Sequence, residues 1–300
     1  MSSVVLIKPM PADKSVCPGV ALTKAPAIKE EVIVETSLGP VKGFTQLGGA
    51  TSGSAAHFRG IPFAASTAGA NRFKPPQPRE SWTEPLDCTR YGAECREPKG
   101  AVRGMIKGFG KSVSEEVAVG LTGDDCLNLN VVTPSIKGSA PVMVWIHGGA
   151  NFMTGGNGSG FGAAPTCSEK FAAEGVCAIS IHYRQGIHGF AHFPKLGITN
   201  LMLRDVLASL EWVQREIRAF GGDPTNVTIF GESAGAIACG CLLACEQASP
   251  LFVPIVQRVP IVQRVVTGCD VLRPAVAYVT WQRMSRRKRA VMCSTRCHAL

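Results

Sequence analysis

The stretch FGESAGA, residues 230–236, decides the fold, because it places Ser233 between Gly231 and Gly235 in the spacing G-x-S-x-G. In this pattern the serine occupies a sharp turn from a strand to a helix, and a side chain at either flanking position would collide with the neighbouring backbone. The letters VTIF before the turn are typical of a strand, and an apolar segment at helical spacing follows it. The sequence therefore predicts a nucleophile elbow with the Ser233 hydroxyl at its tip. The alternative is a glycine-rich turn without a chemical role.

Short apolar runs before the elbow predict the rest of the sheet. PVMVWI, VCAISI and NVTIF are uniformly apolar, as in strands buried on both faces, and EVIVET and GPVKGFT predict two short strands around a Gly-Pro turn. Between VCAISI and NVTIF, apolar residues recur every three or four positions from Leu203 to Phe220, which predicts a helix that ends at Gly221. Strand, helix and strand joined by a right-handed crossover give a parallel sheet covered by helices. The expected fold class is α/β.

A second glycine-rich loop, HGGA at residues 147–150, follows the run PVMVWI. An acyl-transfer enzyme needs hydrogen-bond donors for the oxyanion of its tetrahedral intermediate, and loops of the HGG type supply them from the main chain. The N–H groups of Gly149, Ala150 and Ala234 are the candidate donors, and the alternative is a tight turn without a role. His147 adjoins these donors and is interpreted as a packing residue of the loop. Three further histidines are interpreted as loop or packing residues: His182, His188 and His192.

These segments, in this order, resemble the type-B carboxylesterases, the cholinesterase-like branch of the α/β-hydrolases. The resemblance covers residues 31–252 and rests on FRGIPFA, RFKPPQP with Trp82, DDCLNLNVVTP, PVMVWIHGG, IHYRQGIHGF, LASLEWVQREIRAFGGDPTNVTIFGESAGA and ASPLF. It implies an α/β-hydrolase fold and a serine carboxylic-ester hydrolase that forms an acyl-enzyme on Ser233. It further implies Gly149, Ala150 and Ala234 as the oxyanion hole, small-molecule carboxylic esters as substrates, and no metal or organic cofactor.

The sequence departs from the family pattern at several positions. Asn151 precedes Phe152, so the aromatic residue after HGGA comes one residue late. Met202 stands where the family has glycine, and Val206 stands where it has glutamine.

Five of the twelve cysteines fall into two groups. By the resemblance, Cys95 and Cys126 match the family's first disulfide, a pair that stays reduced in a reducing compartment. Cys239, Cys241 and Cys245 lie within an apolar helical pattern and are expected to be small buried hydrophobes.

The family carries its triad acid and histidine in a C-terminal half that is expected to be absent here. The only histidine after Ser233 is His298, which is not expected to act as the base; Glu232 and Glu246 are the nearby acids. The expected fold is therefore incomplete, with an open apolar sheet edge after the nucleophile strand, and the activity is expected to be impaired. The alternative is a non-catalytic cholinesterase-like scaffold or a truncated gene product.

Composition divides the chain into three parts: an irregular leader at 1–28, the hydrolase part at 29–252, and a divergent basic tail at 253–300 that is expected to be irregular. Nine of the last fifty residues are basic against one acid, so they carry +8 of the formal charge of +9. The tail contains VPIVQR twice in succession and RRKR at 286–289. RRKR without interleaved aromatic residues favours a solvated basic segment, so no nucleic-acid partner is expected.

The sequence contains neither a secretory h-region near its start nor an apolar run long enough for a membrane span. The cytoplasm is the expected location by default, with secretion as the alternative if the N-terminus is misassigned, and the sequence leaves the oligomeric state open.

Overall fold

The computed structural model describes residues 30–47, 54–96, 122–153, 155–157, 164–252, 255–260 and 276–279. The leader 1–28, the RRKR segment and His298 lie outside these residues.

The described residues form strands, helices and short 3-10 turns. The strands are β1 (Glu30–Thr36), β2 (Gly39–Leu47), β3 (Ser54–Pro62), β4 (Leu86–Asp87), β5 (Glu94–Cys95), β6 (Thr122–Gly123), β7 (Asn128–Thr133), β8 (Ala140–Ile146), β9 (Cys177–Ile181), β10 (Gly222–Glu232), β11 (Ile255–Pro260) and β12 (Val276–Val279). The helices are α1 (Ala164–Ala173), α2 (Gly186–Phe190), α3 (Leu201–Glu216) and α4 (Ala234–Ala244). The 3-10 turns are Gly69–Asn71, Pro194–Leu196, Ile217–Phe220 and Glu246–Ala248.

Ten of these strands form one mixed sheet in the order β1-β2-β3-β7-β9-β8-β10-β11-β12, with β4 paired to β2, and β5 and β6 form a separate two-stranded sheet. Strands β9, β8, β10 and β11 run parallel to one another, as predicted for the first three of them. Strands β1, β2, β3, β7 and β9 pair antiparallel, which the sequence indicated only for β1 and β2. The six residues of β7 are all buried, but Asn128 and Asn130 interrupt their apolar pattern, so periodicity did not reveal the strand. The α/β class is confirmed.

The long helix forms as predicted. α3 covers Leu201–Glu216, continues as a 3-10 turn, and ends at Gly221, whose φ of 75° is the left-handed conformation that glycine accepts at a helix end. The two residues that depart from the family pattern are used in its packing, since Met202 and Val206 are both buried in the core. The rings of Phe220 and Trp212 pack together there, with centroids 5.6 Å apart.

The expectation of an irregular tail is wrong for two segments. β11 pairs parallel with β10, with Ile229 opposite Ile255 and Glu232 opposite Arg258, and β12 pairs antiparallel with β11. The first VPIVQR copy is rich in β-branched residues, which favour the strand conformation. Without β11, this side of β10 would have unpaired N–H and C=O groups, and pairing with β11 satisfies them. As a result β10 has partners on both sides and is not the edge of the sheet. None of the helices within the described ranges has the length and apolar character needed to cross a membrane.

Candidate functional site

Ser233 lies at the junction of β10 and α4, in the strand–turn–helix arrangement predicted for it. Its φ of 54° and ψ of −120° are unusual for a residue with a β-carbon, and the Ser233 carbonyl accepts the Ile237 N–H at 3.1 Å in the first turn of the helix. Backbone strain of this kind costs on the order of 1–3 kcal/mol and persists only where the surroundings enforce it. The fold thus maintains the turn that presents the Ser233 hydroxyl.

The two flanking glycines are required by the closeness of the backbone. A β-carbon on Gly231 would lie 2.6 Å from the carbonyl carbon of Gly235 and 2.8 Å from the carbonyl oxygen of Ile146. A β-carbon on Gly235 would overlap the carbonyl oxygen of Ile146 and lie 2.6 Å from that of His147. Real β-carbons essentially never approach other atoms this closely, so any side chain at either position would displace the elbow.

The HGG segment leads into what we call the glycine loop, residues 147–153, which packs directly against the elbow. A β-carbon on Gly148 would lie 2.6 Å from the carbonyl oxygen of Glu232 and 3.2 Å from the β-carbon of Ser233. The structure therefore brings the loop that carries Gly149 and Ala150 to the turn that carries Ser233 and Ala234.

Three consecutive residues of the glycine loop have left-handed backbone: φ is 101° at Gly149, 52° at Ala150 and 67° at Asn151. The turn closes on the Gly149 carbonyl, which accepts the N–H groups of Phe152 at 3.2 Å and Met153 at 3.1 Å. Asparagine is one of the few side chains that tolerate positive φ, which gives a physical reason for the additional residue before Phe152.

His147 is fully buried at the start of the glycine loop. Its ring stacks on Tyr183 with centroids 4.1 Å apart, and its Nδ1 lies 2.8 Å from the Gly148 carbonyl oxygen. Burial lowers the pKa of His147 to about 4, so the neutral ring dominates at pH 7 and is a weak base. These contacts agree with its interpretation as a packing residue.

The histidines that follow β9 have different surroundings. His182 is buried and bonded to Gly156 and Asn157, and burial lowers its pKa to about 3. His188 stacks on Phe73 with centroids 5.9 Å apart, and His192 is exposed. Their interpretation as loop or packing residues agrees with these positions.

A buried ion pair that the sequence analysis missed lies beside the loop. Arg184 is held by Asp205 of α3 through two side-chain bonds of 2.6 and 2.8 Å, and the side chains are 2% and 0% exposed. The Arg184 Nη1 also donates to the carbonyl of Lys74 at 2.7 Å. The signal was present in the sequence, since Asp205 interrupts the apolar face of a predicted helix.

Cys95 and Cys126 are buried thiols that share a hydrogen bond. The bond from the Cys126 thiol lowers the pKa of Cys95, while the same bond and burial raise the pKa of Cys126. The structure thus brings the two residues together, and the disulfide implied by the resemblance stays a prediction.

The buried face of α4 differs from the one expected. Cys239 is buried as predicted, but Cys241 is exposed and Cys245 half-buried. The helix turns Ala238, Cys239 and Leu242 inward, and Ile237 is 59% exposed. This helix is apolar on all sides, so its composition could not identify the core face.

The acids near Ser233 occupy two settings. Glu232 is half-buried next to Gly148, and Glu246 is exposed in a 3-10 turn, as expected for a helix-end residue. Within the described ranges, no group of three His, Cys, Asp or Glu residues is arranged to bind a metal ion.

Comparison with known proteins identifies relatives of this chain. A sequence model described as "Carboxylesterase family" matches residues 30–265. Para-nitrobenzyl esterase of Bacillus subtilis (strain 168) is 40% identical over 226 residues, covering 73% of this chain and 42% of that protein. Cholinesterase of Mus musculus is 39% identical over 231 residues, covering 75% of this chain and 36% of that protein.

Solved structures agree with these matches. Juvenile hormone esterase from Manduca sexta, with OTFP covalently attached, is 31% identical with a TM-score of 0.64, covering 75% of this chain and 40% of that chain. A thermophilic PNB esterase is 37% identical with a TM-score of 0.62, and the match covers 74% of this chain and 43% of that chain. These structures confirm the predicted α/β-hydrolase fold, and the chain spans about two fifths of the length of the relatives that it matches.

Proposed function

Because the chain belongs to the carboxylesterase family, we propose that it is a carboxylic ester hydrolase whose nucleophile is Ser233. The Ser233 Oγ attacks the ester carbonyl carbon, its proton passes to the departing alcohol, and the acyl group remains on the serine. Water then attacks the acyl-enzyme, releases the carboxylic acid and restores the hydroxyl. Small carboxylic esters are the proposed substrates.

One observation carries this proposal: the elbow and the glycine loop lie against each other. The position of a β-carbon on Gly148 is 3.2 Å from the Ser233 β-carbon, so the main chain that follows begins beside the nucleophile. The N–H groups of Gly149, Ala150 and Ala234 are the proposed donors to the oxyanion that forms when Ser233 attacks. Donors of this kind are worth about 3–4 kcal/mol each, because they are already oriented when the charge develops.

We propose that the activity of this chain is low, because the described histidines are poor candidates for the general base. Burial lowers the pKa of His57 and His147 to about 4 and that of His182 to about 3. The ring of His188 stacks on Phe73, and His192 lies exposed outside the loop. Serine hydrolases without a working triad retain an acceleration of about 10³–10⁴ over water from the oxyanion hole and binding, and we expect a rate of this order.

A fluorophosphonate probe tests the nucleophile directly. We expect one phosphonyl adduct on the peptide that contains Ser233, with fluoride as the leaving group, and loss of that adduct in Ser233→Ala. The matched control is Ser249→Ala, which removes a hydroxyl from an exposed residue after α4. A preparation that unfolds cooperatively and yet gives no adduct at Ser233 contradicts the proposal.

The second candidate is a non-catalytic scaffold that binds another macromolecule. It is favoured by the apolar side chains exposed around α2 and the following turn, which are Ile187, Phe190, Phe193 and Leu196 at 66%, 42%, 54% and 74% exposure. A cooperative thermal transition, with neither an adduct at Ser233 nor hydrolysis of short p-nitrophenyl esters, would favour this candidate over the first.

A further inference from the structure

The segment that follows β9, residues 182–186, touches the glycine loop at both of its ends. The Tyr183 hydroxyl donates to the His147 carbonyl with an O···O distance of 2.6 Å. The Gly186 N–H donates to the Asn151 carbonyl with an N···O distance of 2.6 Å. These two bonds enclose Gly148, Gly149 and Ala150, so both proposed loop donors lie between fixed points.

A third contact continues beyond the loop, where His182 holds residues 155–157. The Gly156 N–H donates to His182 Nδ1 at 3.3 Å, so the ring proton of the neutral imidazole lies on Nε2. That Nε2–H donates to Asn157 Oδ1 at 2.8 Å.

The neighbours of Asn157 confirm that its amide oxygen faces His182. Asn130 Nδ2 donates to the same Asn157 Oδ1 at 3.2 Å, and Asn157 Nδ2 donates to the Gly92 carbonyl at 3.0 Å. Asn130 Nδ2 also lies 3.1 Å from Ser180 Oγ on β9, and Asn130 Oδ1 accepts the Gly60 N–H at 2.9 Å. The His182, Asn130 and Asn157 side chains each donate to an acceptor in this network, and such bonds make a buried polar network rigid.

Residues 182–186 are themselves fixed to the body of the domain. The Arg184 guanidinium and its backbone N–H both bond to the Asp205 carboxylate, the backbone at 3.0 Å. The Gln185 N–H donates to Cys95 Sγ at 3.2 Å. A segment anchored to both α3 and β5 can hold a neighbouring loop in one conformation.

We propose that residues 182–186 form a brace that positions the glycine loop, and that Tyr183 and His182 are positioning residues for the ester hydrolysis inferred above. The loop needs such support because two of its left-handed residues, Ala150 and Asn151, carry a β-carbon, and each costs about 1–2 kcal/mol in that conformation. An oxyanion donor must lie within about 0.5 Å of its working position to be effective. The catalytic consequence of the brace rests on the proposed function. Its effect on the conformation of the glycine loop does not depend on activity.

Amide hydrogen exchange of the peptide covering residues 147–153, in the full-length chain, tests the brace. Tyr183→Phe removes only the hydroxyl that bonds to His147, and we expect the glycine-loop amides to exchange about tenfold faster. Tyr91→Phe is the matched control, since the Tyr91 ring packs on Arg59 and lies outside the brace. Unchanged exchange in Tyr183→Phe overturns the proposal.

Substitutions of His182 separate its two bonds. His182→Asn keeps an acceptor near the position of Nδ1, His182→Gln keeps a donor near the position of Nε2, and His182→Leu keeps neither. We expect exchange of the amides of residues 155–157 to be fastest in the leucine variant and intermediate in the other two. Equal exchange in His182→Leu and the wild type contradicts a positioning role for His182.

A kinetic measurement separates positioning from general stability. Main-chain N–H donors stabilise an oxyanion better than the larger, more diffuse thiolate-like anion formed from a thionoester, so a well-placed loop favours the oxyester of a matched pair. We expect Tyr183→Phe to lower kcat for the p-nitrophenyl oxyester about tenfold at nearly constant KM, with a smaller change for the thionoester. An equal loss on both esters argues against positioning. If the wild type neither hydrolyses nor labels, the proposed function fails, and the exchange experiment still decides the brace.

Discussion

The carbonyl oxygen of Ile146, at the end of β8, occupies the space that a β-carbon on Gly235 would need, in the first turn of α4. The helix can therefore approach the strand end only with glycine at this position. This approach brings the amino end of α4 to the point where the chain leaves β8 and enters the glycine loop. The elbow and the loop share one steric constraint, so the geometry of each depends on the other.

We predict that Gly235→Ala destabilises the protein by about 3 kcal/mol, because the added methyl group forces the helix away from β8. Without a steric clash, replacing a helical glycine by alanine would stabilise the helix by about 1 kcal/mol. A loss of stability in Gly235→Ala therefore identifies the steric effect. Urea unfolding measures the change, and the rate of fluorophosphonate labelling is expected to fall with it. Gly123→Ala is the control, since a β-carbon there meets its nearest neighbour, Ala93, at an ordinary 3.5 Å. Equal midpoints for Gly235→Ala and the wild type would show that the constraint is absent.

The buried pair of Arg184 and Asp205 predicts a second large effect. Asp205→Asn leaves the Arg184 guanidinium buried with its charge uncompensated, and breaking such a pair costs about 3–5 kcal/mol. The exposed pair of Arg79 and Asp125, whose atoms lie 2.8 Å apart, is the control, because surface pairs contribute about 0–1 kcal/mol. Denaturant unfolding of Asp205→Asn and Asp125→Asn compares the two directly. Similar losses in both variants would contradict the structural role of the buried pair.

Features that depend on local sequence could be predicted. The elbow follows from Gly231 and Gly235, whose requirement is steric and lies within a few residues of Ser233. The helix α3 follows from an apolar period of three to four residues and from the glycine that ends it. Both are short-range properties, so the amino-acid sequence states them directly.

Features that depend on contacts between distant residues could not be predicted. Asn130 bonds to Ser180, fifty positions away, and His182 bonds to Asn157, so the polar network around the glycine loop exists only once the sheet has formed. Pairing of the tail with β10 has the same origin, because its register is a property of two separate segments. The side chains that position the candidate site therefore became visible only with the fold.

The adjacent thiols of Cys95 and Cys126 predict a response to oxidation. Oxidised glutathione should link them through a mixed disulfide, releasing two molecules of reduced glutathione as the Sγ–Sγ bond forms. Closing a loop of this length stabilises a protein by about 2–4 kcal/mol, since it restricts the unfolded chain. Peptide mapping by mass spectrometry detects the bond, and urea unfolding with and without oxidant measures the gain. Cys95→Ser should abolish both, whereas Cys88→Ser removes another buried thiol and should leave the bond intact.

Three buried histidines predict how stability depends on pH. Burial lowers the pKa of His57 and His147 to about 4 and that of His182 to about 3, all below the value of about 6.5 in an unfolded chain. Between these values the unfolded state binds protons that the folded state does not bind. Stability is therefore complete above about pH 6.5 and falls as the pH decreases, by about 1.4 kcal/mol per pH unit for each histidine.

The three together should remove about 4 kcal/mol per pH unit between pH 6 and pH 5, which urea unfolding across this range measures. His57 lies outside the candidate site, and its ring stacks on that of Phe44 with centroids 5.0 Å apart. His57→Phe therefore removes one titrating group and keeps an aromatic ring at this position. The slope of stability against pH should then decrease by about one third, whatever the variant does to stability at pH 7. A slope identical to that of the wild type would mean that His57 is protonated equally in the folded and unfolded states, and that the acid sensitivity comes from other groups.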